Sequence, residues 1–230
     1  MPALTATVLA SLALSPGGTG PPTLQSSWCA DVTEALTVDG VRDPIQTNAY
    51  NLCVDAVNVR WSQAQAPEGS QYSIFNGTDF WTLFPDSSLP GGYNCTHKYT
   101  GPEQSTDMPY RMSTIDANAD LNKTDTYDGV PAQNWYAYRP GSKPGAHVQF
   151  AAQQMHWHVD AGSKTPFLLA SEFIEVSQMS QYKGKLQHGT RDFSANRTAF
   201  KERELPDGVK CTEAPAGPHR VGTEFMALFK

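Results

Sequence analysis

Short runs in which apolar and polar residues alternate follow one another along most of the chain, with turn-forming residues between them. The clearest signal is Asn76-Gly77-Thr78, which separates two aromatic-rich runs at 72–75 and 79–84. An Asn-Gly pair between such runs is the strongest short-range indication of a β-hairpin. The same pattern predicts further strands at 51–62, 93–99, 135–139, 148–160 and 167–176. We therefore expect a meander of antiparallel strands.

The composition limits the size and the class of the expected domain. The chain has 230 residues, of which 39% are hydrophobic, 10% aromatic and 17% charged, and 18 glycines and 17 prolines supply the turns. No internal repeat or linker divides it. We expect one mainly β domain over 28–220 with little helix, a leader at 1–20 and a tail at 221–230.

The net charge of −6 argues against nucleic acid as a partner, because binding phosphates requires a basic surface. Acidic residues concentrate between 103 and 128 and basic residues between 183 and 210, a distribution typical of two solvated surfaces. No apolar run reaches the length of a membrane span.

Three features favour the secretory route. Residues 4–14 form a short apolar run followed by small residues, as in a signal peptide, although a disordered leader is the alternative. Four cysteines lie downstream without any Cys-x-x-Cys pair, which indicates two disulfides in one of three pairings: Cys29, Cys53, Cys95 and Cys211. Four sequons predict N-glycosylation at Asn76, Asn94, Asn122 and Asn196.

Candidate chemistry begins with His156 and His158, which a strand would place on one face as zinc ligands often are. A zinc enzyme of carbonic-anhydrase type would need a third ligand, for which His188 or His97 is available. The simpler interpretation is strand alternation, with Met155, Trp157 and Val159 in the core and the two histidines in solvent. We expect no enzyme and no resident cofactor.

The segment 116–120 (Asp-Ala-Asn-Ala-Asp) resembles the start of a calcium loop. An EF-hand would continue with Gly at the sixth position and Glu at the twelfth, where this chain has Leu121 and Tyr127. Only weak calcium association is therefore expected. The chain contains no Gly-x-Ser-x-Gly elbow, P-loop or dinucleotide fingerprint.

The order of motifs from Cys53 to Cys211 resembles the ependymin-related family and, more loosely, the bacterial LolA-type lipoprotein carriers; the same domain type precedes some papain-like proteases. The matching segments are 55–60, the Asn76-Gly77 hairpin, 93–95, 127–136, 157–160 with 165–166, and 205–211. The resemblance implies a half-open barrel, formed by a curved antiparallel sheet with a short helical cover over an apolar pocket. It also implies a disulfide between Cys95 and Cys211, which leaves Cys29 for Cys53.

Members of that family are secreted glycoproteins to which lipid binding and calcium association are attributed. The leading hypothesis is thus a secreted or lumenal glycoprotein that binds a lipid or other hydrophobic molecule. Its expected ligand-binding side chains are aromatic or aliphatic strand residues: Ile74, Phe80, Trp135, Trp157 and Phe167. A structural or accessory subunit that binds a protein partner or a second copy is the remaining alternative.

Overall fold

The computed structural model describes residues 20–65, 70–99, 115–140, 150–177 and 183–214. The expected leader, except for its last residue, and the tail at 221–230 lie outside these ranges. The described residues form twelve strands, and their longest helical segment is the three-residue 3-10 turn Pro90–Gly92. The expectation of a mainly β protein is confirmed.

The strands belong to one open sheet, in which β12 pairs in parallel with β6 and every other pair is antiparallel. The order across the sheet is β12-β6-β5-β4-β3-β2-β1-β11-β10-β9-β8-β7. The strands are β1 (Ser27–Val38), β2 (Gln46–Asp55), β3 (Arg60–Gln65), β4 (Tyr72–Phe75), β5 (Asp79–Pro85), β6 (Tyr93–Tyr99), β7 (Asp120–Tyr127), β8 (Val130–Pro140), β9 (Phe150–Asp160), β10 (Leu168–Ser177), β11 (Leu186–Phe193) and β12 (Cys211–Glu213).

The hairpin predicted at Asn76-Gly77 is confirmed as β4 and β5. Asn76 holds the turn, since its side-chain oxygen accepts from the backbone NH of Thr78 (3.3 Å) and of Asp79 (3.0 Å). Gly77 has a φ of 105°, a conformation that side chains disfavour. The turn sets the register so that Phe75 lies opposite Phe80.

Strand alternation gives the sheet two different faces. One carries a continuous hydrophobic cluster that reaches from β4 across the central strands to β8, and we call it the apolar face. Its fully or largely buried members are Trp28, Ala30, Val32, Tyr50, Leu52, Val54, Trp61, Phe75, Ala119, Trp135, Ala137, Trp157, Val159, Leu168 and Phe193.

Residues 194–210, which we call the strap, lead from β11 to β12 at the sheet's edge, and after Thr198 they cross the opposite face. Thr198 exchanges two backbone hydrogen bonds with Cys29 (2.9 and 3.0 Å). Further along, Arg203 donates to the Asn51 side chain (2.9 Å) and Val209 packs onto a second, smaller cluster around Leu83. We call this side of the sheet the strap face.

Both disulfides that the resemblance implies are formed, and both lie on the strap face. Cys29 and Cys53 are directly opposite one another on β1 and β2, 24 residues apart in sequence. Cys95 and Cys211 join β6 to β12 across 116 residues. The second bond therefore anchors the far end of the strap to the early hairpin region.

We expect the two disulfides to contribute unequally to stability. Loop-closure entropy predicts that removing the long-range bond (Cys95→Ala with Cys211→Ala) costs about 1.4 kcal/mol more than removing the short-range bond (Cys29→Ala with Cys53→Ala). Guanidinium unfolding of the two double variants measures the difference. An equal or reversed order would show that the strap is held by its other contacts rather than by the long loop.

Candidate functional site

The apolar face is unusually rich in tryptophan. Of the five tryptophans in the chain, Trp28, Trp61, Trp135 and Trp157 lie in its cluster, each no more than 6% exposed. Trp135 and Trp157 are cross-strand neighbours on β8 and β9. Their low exposure shows that these large rings pack against one another and their neighbours in the hydrophobic core.

Three of the five expected ligand-binding residues meet on this face: Trp135 and Trp157 within the cluster, and the partly buried Phe80 against it. Ile74 lies on the other face, in the smaller cluster with Leu83. Phe167 precedes β10 and packs under the guanidinium of Arg197.

The apolar face changes character toward the far end of β1, where partly buried charged side chains replace most of the aromatic rings. Glu34 accepts hydrogen bonds from the Tyr50 hydroxyl (2.8 Å) and from Arg191 Nε. Burial raises the pKa of Tyr50, which keeps this hydroxyl protonated as a donor. Gln63 and Gln187 are also buried on this half. We call the part of the face that carries the tryptophan cluster the apolar half, and the part around Glu34 and Arg191 the polar half.

A cluster of titratable groups lies on the strap face, over β9, β10 and β11. Glu172 bridges two imidazoles: His158 Nε2 is 3.0 Å from Oε1, and His188 Nε2 is 3.5 Å from Oε2. The ring of Tyr127 packs on His158 with centroids 4.5 Å apart. The hydrogen bond from His158 holds the pKa of Glu172 below its usual range.

The expectation that both histidines of the pair face solvent is wrong for His158. Met155, Trp157 and Val159 do face the apolar cluster, but His158 is only 8% exposed, because Glu172 and Tyr127 cover it. His156 hydrogen-bonds Asn134 at 3.3 Å, and burial lowers its pKa. The part of the chain described by the structure contains no group of three His, Cys, Asp or Glu side chains arranged to hold a metal ion.

The acidic segment 116–120 forms a turn. The Asp116 carboxylate accepts from the backbone NH of Asn118 (3.1 Å), and its carbonyl accepts from Ala119 NH (2.9 Å). Ala119 is buried in the apolar cluster. The turn therefore places a small side chain against the sheet, and weak calcium association stays a prediction.

A cavity of about 350 Å³ lies on the strap face between β1, β2, β3 and the strap. Its walls combine small, polar and charged residues, among them Asp31, Ala49, Asn51, Ala64 and Arg203. Val32 and Tyr50, which belong to the apolar cluster, also line this cavity.

No family model and no curated protein matches the chain. Several solved structures resemble it at low identity, among them the following three. An uncharacterized conserved protein from Thermus thermophilus has 12% identity and a TM-score of 0.42, covering 83% of this chain and 92% of its own. A LolA superfamily protein from Nitrosomonas europaea has 13% identity and a TM-score of 0.30, covering 81% of this chain and 90% of its own. The Mycobacterium tuberculosis lipoprotein LppX has 11% identity and a TM-score of 0.36, covering 76% of this chain and 88% of its own. At these TM-scores the likenesses assign no family, and the ependymin-related resemblance stays a prediction.

Removing one member of the ion pair between Glu34 and Arg191 should lower the free energy of unfolding. Glu34→Leu leaves the buried Arg191 charge without its carboxylate, and we expect a loss of about 3–5 kcal/mol in the free energy of unfolding. The double variant Glu34→Leu with Arg191→Met should lose clearly less than the two single losses combined. Urea unfolding of the set measures the coupling, and simple additivity would contradict it.

The histidine cluster predicts a pH dependence. A carboxylate whose folded pKa is lowered stabilises the protein above its unfolded value of 4.5, and this contribution is lost as the pH falls through the folded pKa. Glu172→Gln should therefore cost about 1 kcal/mol at pH 7, and the cost should shrink as the pH falls below about 4.5. Thermal unfolding from pH 7 to pH 3 tests this; a cost that is constant over this range would contradict it.

Proposed function

We propose that this protein binds a lipid or another hydrophobic small molecule on the apolar half of its open sheet. The observation that carries the proposal is the continuous aromatic cluster from β4 to β8. The proposed activity is binding without a catalytic step. Phe80, Trp135 and Trp157 are the proposed contact residues, joined by the partly buried Met155.

The openness of the sheet supports this proposal. Its edge strands β7 and β12 do not pair with each other, so the spacing across the apolar face is not fixed by a closed ring of hydrogen bonds. A bound chain of methylene groups would gain about 0.8 kcal/mol for each group removed from water. We include in this proposal that the sheet binds its ligand as a half-open barrel with a helical cover.

We also propose that the protein is exported and glycosylated. Two disulfides persist in oxidising compartments, and all four sequon asparagines are exposed: Asn76, Asn94, Asn122 and Asn196. Among the described residues no helix is long and apolar enough to span a membrane.

Tryptophan fluorescence provides a direct test. A fatty acid brominated along its chain quenches only the indoles that it touches, so we expect saturable loss of most of the emission from the four tryptophans of the apolar face. Trp81 lies on the strap face, where its ring stacks on His97 at 5.2 Å. Trp81→Phe should therefore leave the quenching intact. Absence of saturable quenching, or its disappearance in Trp81→Phe, would contradict the proposed site.

A pair of adjacent substitutions localises the site further. Met155 lies against the apolar cluster, whereas Gln154 is exposed on the other face of the same strand. Met155→Asp places a charge in the proposed contact surface and should weaken fatty-acid binding at least about tenfold. Gln154→Asp adds the same charge on the opposite face and should leave the dissociation constant within about twofold. Equal effects of the two variants would argue against the apolar face.

A further inference from the structure

The guanidinium of Arg197 lies against the apolar cluster, and no salt bridge joins it to a carboxylate among the described residues. It packs on the rings of Trp28 and Phe167 at 4.6 Å and of Phe193 at 5.6 Å. Its Nη2 donates to the Leu168 carbonyl. Nε and Nη1 are buried and have no hydrogen-bond partner within the described part of the chain.

Buried charges in proteins are normally paired and hydrogen-bonded, because removing them from water is costly. Arg191, on the neighbouring strand β11, follows this rule through Glu34 and Tyr50. The more exposed Arg60 is also paired, with Asp55 (3.0 Å) and Glu202 (2.7 Å). Arg197 departs from it within the described ranges, and burial lowers its pKa to about 10. At neutral pH it is still a cation.

The position of this cation relates it to the apolar face. Trp28, Leu168 and Phe193 belong to the cluster, and they are the residues that Arg197 contacts. The head group of a molecule whose tail lies along the cluster would therefore meet a desolvated positive charge. Two nitrogen atoms of that guanidinium, Nε and Nη1, could donate hydrogen bonds to the head group. Carboxylates and phosphates are the groups that arginine binds best.

We infer that Arg197 binds the anionic head group of an amphipathic ligand, a carboxylate or a phosphate, at the end of the apolar face. The inference rests on the proposed function, because the tail supplies the contact with the cluster. The three rings hold the guanidinium in place before the ligand arrives, which limits the conformational entropy that binding must cost.

The test compares ligands with the same tail and different head groups. Oleate and oleyl alcohol form one pair, and oleoyl lysophosphatidic acid and monooleoylglycerol form the other. Wild-type protein should bind the anionic member of at least one pair about tenfold or more tightly than the neutral member. The pair that shows the larger preference identifies the head group as carboxylate or phosphate.

Two variants assign that preference to Arg197. Arg197→Gln should remove the preference and leave the dissociation constant of the neutral ligand within about threefold. Arg42→Gln removes the same charge from an exposed turn between β1 and β2 and should keep the preference. A preference that survives in Arg197→Gln overturns the inference.

If Arg197→Gln fails to fold, the wild-type affinities and the Nε resonance of Arg197 in the wild-type protein decide the question together. Equal affinity for anionic and neutral members of both pairs overturns the head-group inference and leaves the proposed function standing. Binding of neither member of either pair overturns both. A shift of the arginine Nε resonance of Arg197 on addition of the anionic ligand, and not of the neutral one, supports the direct contact.

Discussion

A sheet that does not close has two faces, and strand alternation dictates which side chains each face receives. In this protein alternation determines most of the structure, because all twelve described strands belong to one sheet and no helix longer than three residues occurs in the described ranges. One face collects the large rings, among them Trp28, Trp61 and Trp157. The other collects the cysteines and the histidine cluster. The aromatic surface, the disulfides and the strap all depend on this separation.

The strap makes the separation possible. By running across the strap face from Thr198 to Val209, it covers the early strands on one side only. Its close approach requires Gly91, whose φ is 78° and where a Cβ atom would lie 2.6 Å from the Val209 nitrogen. The disulfide between Cys95 and Cys211 fixes the end of the strap beside that contact. The apolar face is covered differently, since Leu24, Ile115 and Ala119, which lie outside the strands, pack against its cluster.

The sequence predicted the parts of the fold that local chemistry determines. The Asn76-Gly77 turn and the alternation of Met155, Trp157 and Val159 are visible because turn residues and period-two patterns act over a few positions. The face on which Ile74 lies could not be predicted from the local pattern. The register of the hairpin pairs Phe75 with Phe80, so Ile74 must lie opposite Trp81 on the other face.

The polar groups were harder to predict, because their partners come from distant parts of the chain. His158 is buried by Glu172 and by Tyr127 of the edge strand β7, which local alternation does not reveal. Arg197 has no sequence signal, since nothing in the pattern around it distinguishes it from Arg191 or Arg203. Only the fold distinguishes them: Arg191 meets a carboxylate and Arg203 an amide oxygen, whereas Arg197 meets three rings and one carbonyl within the described ranges. Burial without pairing raises the free energy of the protein alone, and an anionic ligand that reaches this charge from the apolar face would recover that free energy on binding.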